Sequence, residues 1–391
     1  MTAFAFFVVI LFPIKKPILL HSMPISNWYE LHNPDTTDSP SLLVYPDRVV
    51  HNIQTAIALA GGVDRLRPHV KTHKMAAVTQ LMLEAGISQF KCATIAEAEM
   101  LAQAGAPDVL LAYPVVGPKV ARLLTLTATY PATRFSCLID NLDTARQLSA
   151  AFATAPLDVY IDLNVGMDRT GISPADAPRL AADCVDLPGI RLVGLHAYDG
   201  HIRDTDVPAR ASRAGAGFDL ARNARQTIEN AQHSSLTLIM GGTPTSTIHA
   251  QRQADRVQTS PGTFVFWDAG YSQLLPDLPF EFAAMLLTRV ISVIDDQTLT
   301  LDLGHKSVAA ENPQPRVWFP KHPEAQLIGQ SEEHLVVNIP DAHRYVPGEV
   351  WYAVPKHICP TVALYESVQV VENGTVTDTW PVTARVRKLT V

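Results

Sequence analysis

A TIM-type (β/α)8 barrel followed by an all-β domain is the α/β architecture this sequence predicts, on three observations. Between Ser41 and Thr263, eight short β-branched runs alternate with segments carrying helical start and stop signals. Beyond Tyr271 helical periodicity disappears, and runs that alternate or read as plain β replace it. At 391 residues the chain exceeds the length at which single cores usually split, so two folding units are expected. The boundaries that follow are an N-terminal extension over 1–22, a barrel over 23–270 and a β domain over 271–391.

The extension opens with nine apolar residues, Phe4 to Phe12, interrupted by Pro13 and the pair Lys15-Lys16, too few to span a bilayer. Its lysines follow the apolar stretch, where a signal peptide has charge before it. A start at Met23 is one account of this segment, and an export signal is the other. The eight expected barrel strands are Leu42–Tyr45, Leu66–Val70, Gln89–Ala93, Val109–Leu111, Arg134–Ile139, Leu157–Leu163, Ile190–His196 and Leu236–Met240. Thr94 with Glu97 forms a capping box whose helix ends at Gly105, and Asp140 and Asp143 are expected to act similarly before Thr144–Phe152. In the β domain the expected strands are Met285–Ile294, Thr298–Leu303, Leu335–Ile339, Val350–Val354, Glu366–Val371 and Ala384–Val391. A Pro-rich loop, Glu311–Pro323, lies among them.

Composition narrows the partners. Hydrophobic residues at 47% and charged residues at 18% describe an ordinary globule, not a disordered or multi-span membrane chain. A net charge of −7, from 31 basic and 38 acidic residues without a basic run, gives no footprint for nucleic acid or an acidic membrane. Four scattered cysteines make no disulfide framework, so a reducing, cytoplasmic compartment is expected.

Four segments could carry chemistry. In Arg67-Pro68-His69-Val70-Lys71, alternation puts His69 and Lys71 on one face, with Lys71 at the strand end. In a barrel that face is the interior mouth, where lost solvation favours the free amine that a Schiff-base lysine needs; a solvated strand-end lysine is the alternative. Gly241-Gly242-Thr243-Pro244-Thr245-Ser246 and Pro261-Gly262-Thr263 follow late strands, and their backbone amides suit a phosphate, although each alone reads as a turn. Arg169 lies past the fifth barrel run, able to reach an anionic oxygen or to pair with Asp168. His357 and Cys359, at i, i+2 spacing on an extended segment, would offer nitrogen and sulfur to one metal, zinc by ligand softness, or be a buried cysteine beside an incidental histidine. No GxGxxG, GxxxxGK, HExxH or GxSxG occurs, so the folds and hydrolases those motifs mark have no support.

The ordered set RPHVKTHK, GMDRTG, GLHAYDGH, GGTPTS, SPGTFVFWD, SEEH and VPKHICPT resembles the D-serine dehydratase and D-threonine aldolase family over roughly Asn27 to Arg387. The resemblance implies a pyridoxal 5'-phosphate enzyme on an alanine-racemase-like barrel. Lys71 would carry the cofactor, Arg169 would sit near its phenolic oxygen, and Gly242, Thr243, Gly262 and Thr263 would hold its phosphate. His357 and Cys359 would bind Zn2+ or another divalent ion. Tyr198 joins the cofactor set, although it, His196 and His201 are equally readable as packing or supporting residues. Where alanine racemases have an arginine against the pyridine nitrogen, this chain has Ser260. The expected activity is that of a lyase on small D-3-hydroxy amino acids. D-serine β-elimination is favoured because the His-x-Cys pair resembles the dehydratase branch, and D-threonine-type retro-aldol cleavage is the alternative. A non-catalytic carrier of the cofactor is an alternative of another class, and a racemase is weakened by Ser260 and the metal pair. The partners expected are a small D-amino acid and a second copy in a homodimer, with no nucleic acid and no membrane.

Overall fold

The computed structural model describes residues 28–252 and 256–391, so the extension at 1–22 lies outside the described residues. The strands are β1 (Ser41–Val44), β2 (Gln89–Cys92), β3 (Asp108–Pro114), β4 (Arg134–Ile139), β5 (Leu157–Leu163), β6 (Ile190–Ala197), β7 (Thr237–Met240), β8 (Val257–Thr259), β9 (Ala284–Asp295), β10 (Thr298–Leu301), β11 (Val317–Trp318), β12 (Gln326–Gln330), β13 (Leu335–Asn338), β14 (Val350–Pro355), β15 (Ser367–Glu372) and β16 (Thr375–Pro381). The helices used below are α1 (Pro46–Ala60), α2 (Ala76–Glu84), α3 (Ile95–Gln103), α4 (Pro118–Thr129), α5 (Leu142–Ala151), α6 (Ala177–Asp183), α7 (Val207–Gln232), α8 (Ser246–Ala250), α9 (Ala269–Leu274) and α10 (Ile358–Val362).

Strands β2 to β8 run parallel in sequence order as one curled sheet, with helices between most of them. The segment from Leu66 to Val70 joins its two edges. Leu66 bridges to Thr259 of β8 and His69 to Lys91 of β2, both in parallel sense. Arg67 N donates to Thr259 O at 2.9 Å, and Val70 N donates to Lys91 O at 2.9 Å. Pro68 has no N–H to give, so this eighth member closes the barrel by bridges instead of a continuous ladder.

Two expectations about the barrel need correction. Leu42–Tyr45 is not a barrel strand: β1 pairs antiparallel with β9 and parallel with β15 in the C-terminal sheet. The place it was expected to fill belongs to β8, whose three buried residues Val257–Thr259 form too short a run to stand out by periodicity. The cap of α5 is Asn141, whose side chain accepts from Thr144 N at 2.8 Å, and not Asp140 or Asp143. The Thr94 cap is as expected, with Thr94 Oγ1 accepting from Glu97 N at 3.1 Å and Gly105 beyond the helix at φ +85.

The C-terminal sheet has the order β12-β13-β10-β9-β1-β15-β16, and β14 pairs with β9 and β11. Ala384–Val391 is not a strand. Its last amides are consumed by a buried acid of α3, since Thr390 N and Val391 N both donate to Glu99. Among the described residues no helix is long and apolar enough to cross a membrane.

Candidate active site

Lys71, Arg169 and Tyr198 meet at the C-terminal ends of the barrel strands, the face where barrels of this kind place their chemistry. Tyr198 follows β6. The Lys71 Nζ lies 5.7 Å from its ring centroid and the Arg169 guanidinium carbon 5.0 Å. Asp168, the alternative partner for Arg169, instead accepts from Asn164 Nδ2 at 2.9 Å. His69 is buried beside Lys71 and accepts its backbone N–H at 3.2 Å. Burial, reinforced by the neighbouring Lys71 and Lys91 charges, holds that imidazole well below its usual range and therefore neutral.

Sequence reasoning missed Lys91. It lies on β2 between Phe90 and Cys92, so strand alternation turns its side chain away from theirs, and it is 2% exposed. Its Nζ is 5.7 Å from the Tyr198 ring centroid and 3.5 Å from His196 Nε2. Burial first, then the Lys71 charge, brings its ammonium down to about 7. On the far side of the imidazole, His196 Nδ1 is 2.7 Å from Asp162 Oδ1, and Thr170 Oγ1 donates to Asp162 Oδ2 at 2.9 Å. Burial pushes the Asp162 carboxyl up, but the bonds from His196 and Thr170 outweigh it and leave the group below its ordinary value. The available signal was a charged residue in the middle of a run such as Gln89–Cys92 or Leu157–Leu163, where a strand buried on both faces has no solvent side to offer it.

The two predicted phosphate loops face each other. Thr243 Oγ1 accepts from Gly262 N and from Thr263 N, each at 3.2 Å. A Cβ on Gly262 would stand 2.9 Å from His69 O, and one on Gly242 would stand 2.7 Å from the Tyr198 ring. Only glycine allows backbone to come this close at either position. Ser260 donates its hydroxyl to Arg67 O at 2.7 Å, so that proton is committed to the backbone.

The predicted metal pair follows the end of β14. His357 keeps the extended conformation expected, with φ −137 and ψ 103, but Cys359 does not, because α10 begins at Ile358. The turn still brings the two side chains near enough for each to shift the other's titration. Asp268 shapes this turn: one oxygen caps α9 by accepting from Tyr271 N at 2.8 Å, and the other accepts from Ile358 N at 3.0 Å. Cys359 Sγ is 3.2 Å from Thr72 Oγ1, next in sequence to Lys71, and 3.5 Å from Thr263 Oγ1 in the second phosphate loop. His357 Nδ1 is 2.5 Å from Glu311 Oε1 in the Pro-rich loop, a contact the sequence did not disclose. Burial raises the Cys359 thiol, but the neighbouring His357 outweighs it and lowers the group overall.

The family model for alanine racemase, N-terminal domain, matches residues 44–269, and the serine dehydratase domain model matches residues 283–371. The D-threonine aldolase of Arthrobacter sp is 32% identical over 360 residues, covering 89% of this chain and 93% of that protein. The chain belongs to the D-serine dehydratase and D-threonine aldolase family. Its other similar members include the D-threo-3-hydroxyaspartate dehydratase of Delftia sp. (strain HT23), 26% identical over 88% of this chain and 97% of that protein. The crystal structure of D-threonine aldolase from Filomicrobium marinum has a TM-score of 0.82 at 30% identity, covering 89% of this chain and 96% of that one.

The residues present fit the family's cofactor, since two lysines, one arginine and the close-approach Gly242 gather about the Tyr198 ring, and the second close-approach glycine, Gly262, lies against His69 beside Lys71. They also fit a soft divalent ion, although only two donors come together. Among the described residues no group of three or more His, Cys, Asp and Glu side chains could hold a metal. An imidazole and a thiol leave the remaining positions of a four-coordinate ion to water or substrate, as a catalytic site requires. With Nδ1 taken by Glu311, Nε2 is the nitrogen that His357 would offer to a metal on giving up its proton.

Proposed function

We propose that the protein catalyses β-elimination on small D-3-hydroxy amino acids, D-serine first, as a D-serine dehydratase (D-serine ammonia-lyase). As a member of its family it is a pyridoxal phosphate-dependent lyase related to enzymes of D-hydroxy amino acids. The observation that carries the finer reading is the 3.2 Å contact of Cys359 with Thr72, which brings a thiol and imidazole beside the strand end bearing Lys71. Lys71, Arg169, Tyr198, Gly242, Thr243, Gly262 and Thr263 would hold the cofactor, and His357 and Cys359 a zinc ion. When bound, the cofactor supplies an electron sink at the substrate's Cα and the metal a Lewis acid for its β-hydroxyl.

The chain's own residues divide the remaining work. Lys71 holds a primary amine in the mouth and takes the Cα proton, the step that elimination needs and retro-aldol cleavage does not. Arg169 presents a permanent positive charge over Tyr198, suited to an anionic oxygen. Glu311 orients the His357 ring, and Thr72 and Thr263 support the Cys359 sulfur.

Retro-aldol cleavage is the second reading, favoured by the similarity to D-threonine aldolases. It needs a base at the β-hydroxyl. His201 is the candidate, because its Nδ1 is buried without a hydrogen-bond partner and its ring lies 3.1 Å from where a Cβ on Gly166 would be, in the loop that carries Arg169. A homodimer in the cytoplasm completes the proposal, supported by the family resemblance and by Cys92, Cys137, Cys184 and Cys359 all being free thiols. Product analysis of the purified holoenzyme decides. Pyruvate and ammonia from D-serine should form faster than glycine and acetaldehyde from D-threonine, with L-isomers inert. The reverse order makes the enzyme an aldolase, and no turnover of either substrate makes it a carrier.

A further inference from the structure

A buried acid beneath the first phosphate loop is used by none of the chemistry above. Asp199 follows Tyr198 at the end of β6 and is 1% exposed. One of its oxygens accepts from Thr245 Oγ1 at 2.7 Å, and the other lies 2.7 Å from Nε2 of His249 on α8. Thr245 and His249 are themselves fully buried. The His249 ring stacks on Phe218 of α7 at 6.0 Å, and its Nδ1 has no hydrogen-bond partner, so Asp199 is its polar anchor. The loop turns tightly over this group. Gly241 sits at φ +75, where a Cβ would be 2.6 Å from Thr245 Oγ1, and Gly242 O accepts from Thr245 N at 3.2 Å and Ser246 N at 2.9 Å.

Desolvating a carboxylate is costly, and a buried ion pair often adds little stability over an apolar replacement, so stability is a poor reason for this arrangement. Position is a better one. The backbone that carries Asp199 also carries Tyr198, whose ring would lie only 2.7 Å from a Cβ on Gly242. Both carboxylate oxygens are spent on the loop and the helix behind it. Asp199 thereby couples the backbone that carries Tyr198 to the Gly242–Thr243 loop, alongside the bond from Gly241 N to Ala197 O at 2.9 Å.

We infer that Asp199, Thr245 and His249 form a clamp that holds the Gly242–Thr243 loop at the spacing from Tyr198 that a phosphate-bearing ring requires, and so determines affinity for the phosphate end of the cofactor. They are positioning residues that act through the loop. The inference rests on the reading of this mouth as a pyridoxal phosphate pocket.

The test is binding to the cofactor-free full chain, followed by quenching of tryptophan fluorescence, with pyridoxal phosphate and with pyridoxal, which lacks the phosphate. Asp199→Asn keeps the shape but offers one acceptor oxygen to two donors, Thr245→Val removes the hydroxyl, and Thr245→Ser retains it. Asp199→Asn and Thr245→Val should weaken pyridoxal phosphate by about tenfold or more, the effect typical of losing an orienting partner behind a ligand site. Pyridoxal should change by less than about twofold in the same variants, and Thr245→Ser should bind both as the wild type does. Equal losses for the two ligands, or unchanged binding of both, would overturn the clamp. If Asp199→Asn fails to fold, Thr245→Val compared with Thr245→Ser decides between these outcomes. A wild-type chain that binds no pyridoxal phosphate would overturn the pocket reading itself, a result distinct from variants that bind as well as the wild type.

Discussion

Replacing Lys91 by methionine should make the cofactor-free protein more stable at pH 7, by an amount that depends on pH. Burial, and then the Lys71 charge, lowers the Lys91 ammonium from 10.5 to about 7, while Asp162 and Asp199 only partly oppose this. The unfolded chain therefore keeps this proton up to 10.5, whereas the folded chain gives it up near 7. Between those values the unfolded state binds more protons, so stability rises with pH; the penalty is complete below about 7 and gone above about 10.5. At about 1.4 kcal/mol per tenfold step, the lysine costs the fold about 4 kcal/mol at pH 7 and about 1 kcal/mol at pH 10. Methionine fills a similar volume without charge, but it leaves His196 Nε2 without its neighbour at 3.5 Å. That loss costs about 1–2 kcal/mol at either pH. Lys91→Met should thus gain about 2–3 kcal/mol at pH 7 and roughly nothing at pH 10. Urea denaturation of both proteins at the two pH values, followed by tryptophan fluorescence, measures the difference. A variant destabilised equally at pH 7 and pH 10 would refute the reasoning, because Lys91 would then be charged and adequately paired in the native barrel.

Two further outcomes concern the proposed site. Borohydride reduction of the holoenzyme should fix the cofactor on Lys71, and Lys71→Ala should lose the adduct, because nearby Lys74 is bound to the buried Glu97; an adduct on Lys74 at wild-type yield would move the attachment point. Cys359→Ala should lose bound zinc by about tenfold or more in elemental analysis while still taking up the cofactor, since the sulfur faces Thr72 and Thr263 at the metal side; stoichiometric metal in this variant would place the ion elsewhere.

How far each feature was legible depends on the range of the interactions that create it. Lys71, the Gly242–Thr243 and Gly262–Thr263 turns, Arg169 and the His357–Cys359 pair stood out as candidates because each is a local event at a strand end or turn, where residue type and spacing already suggest a chemistry. Run length and periodicity, likewise local, revealed a barrel followed by a β domain. Neither could assign β1 to its sheet. Leu42–Tyr45 reads as a barrel strand, and only the pairing of β1 with β9 and β15 shows otherwise.

The sequence by itself determined which short segments are candidates for the chemistry and in which order they occur, since those properties follow from the residue types within a few positions. Tertiary structure alone decided which groups face one another. Cys359 meets Thr72 across 287 positions, His196 joins Asp162 to Lys91, and Asp199 reaches Thr245 and His249 beneath the loop. Alternation tells which face of a strand a side chain occupies, but not which distant strand supplies the opposite wall. That choice comes from closing the barrel through Leu66–Val70 and packing the β domain over its mouth, which commits buried charges to partners no local pattern can name.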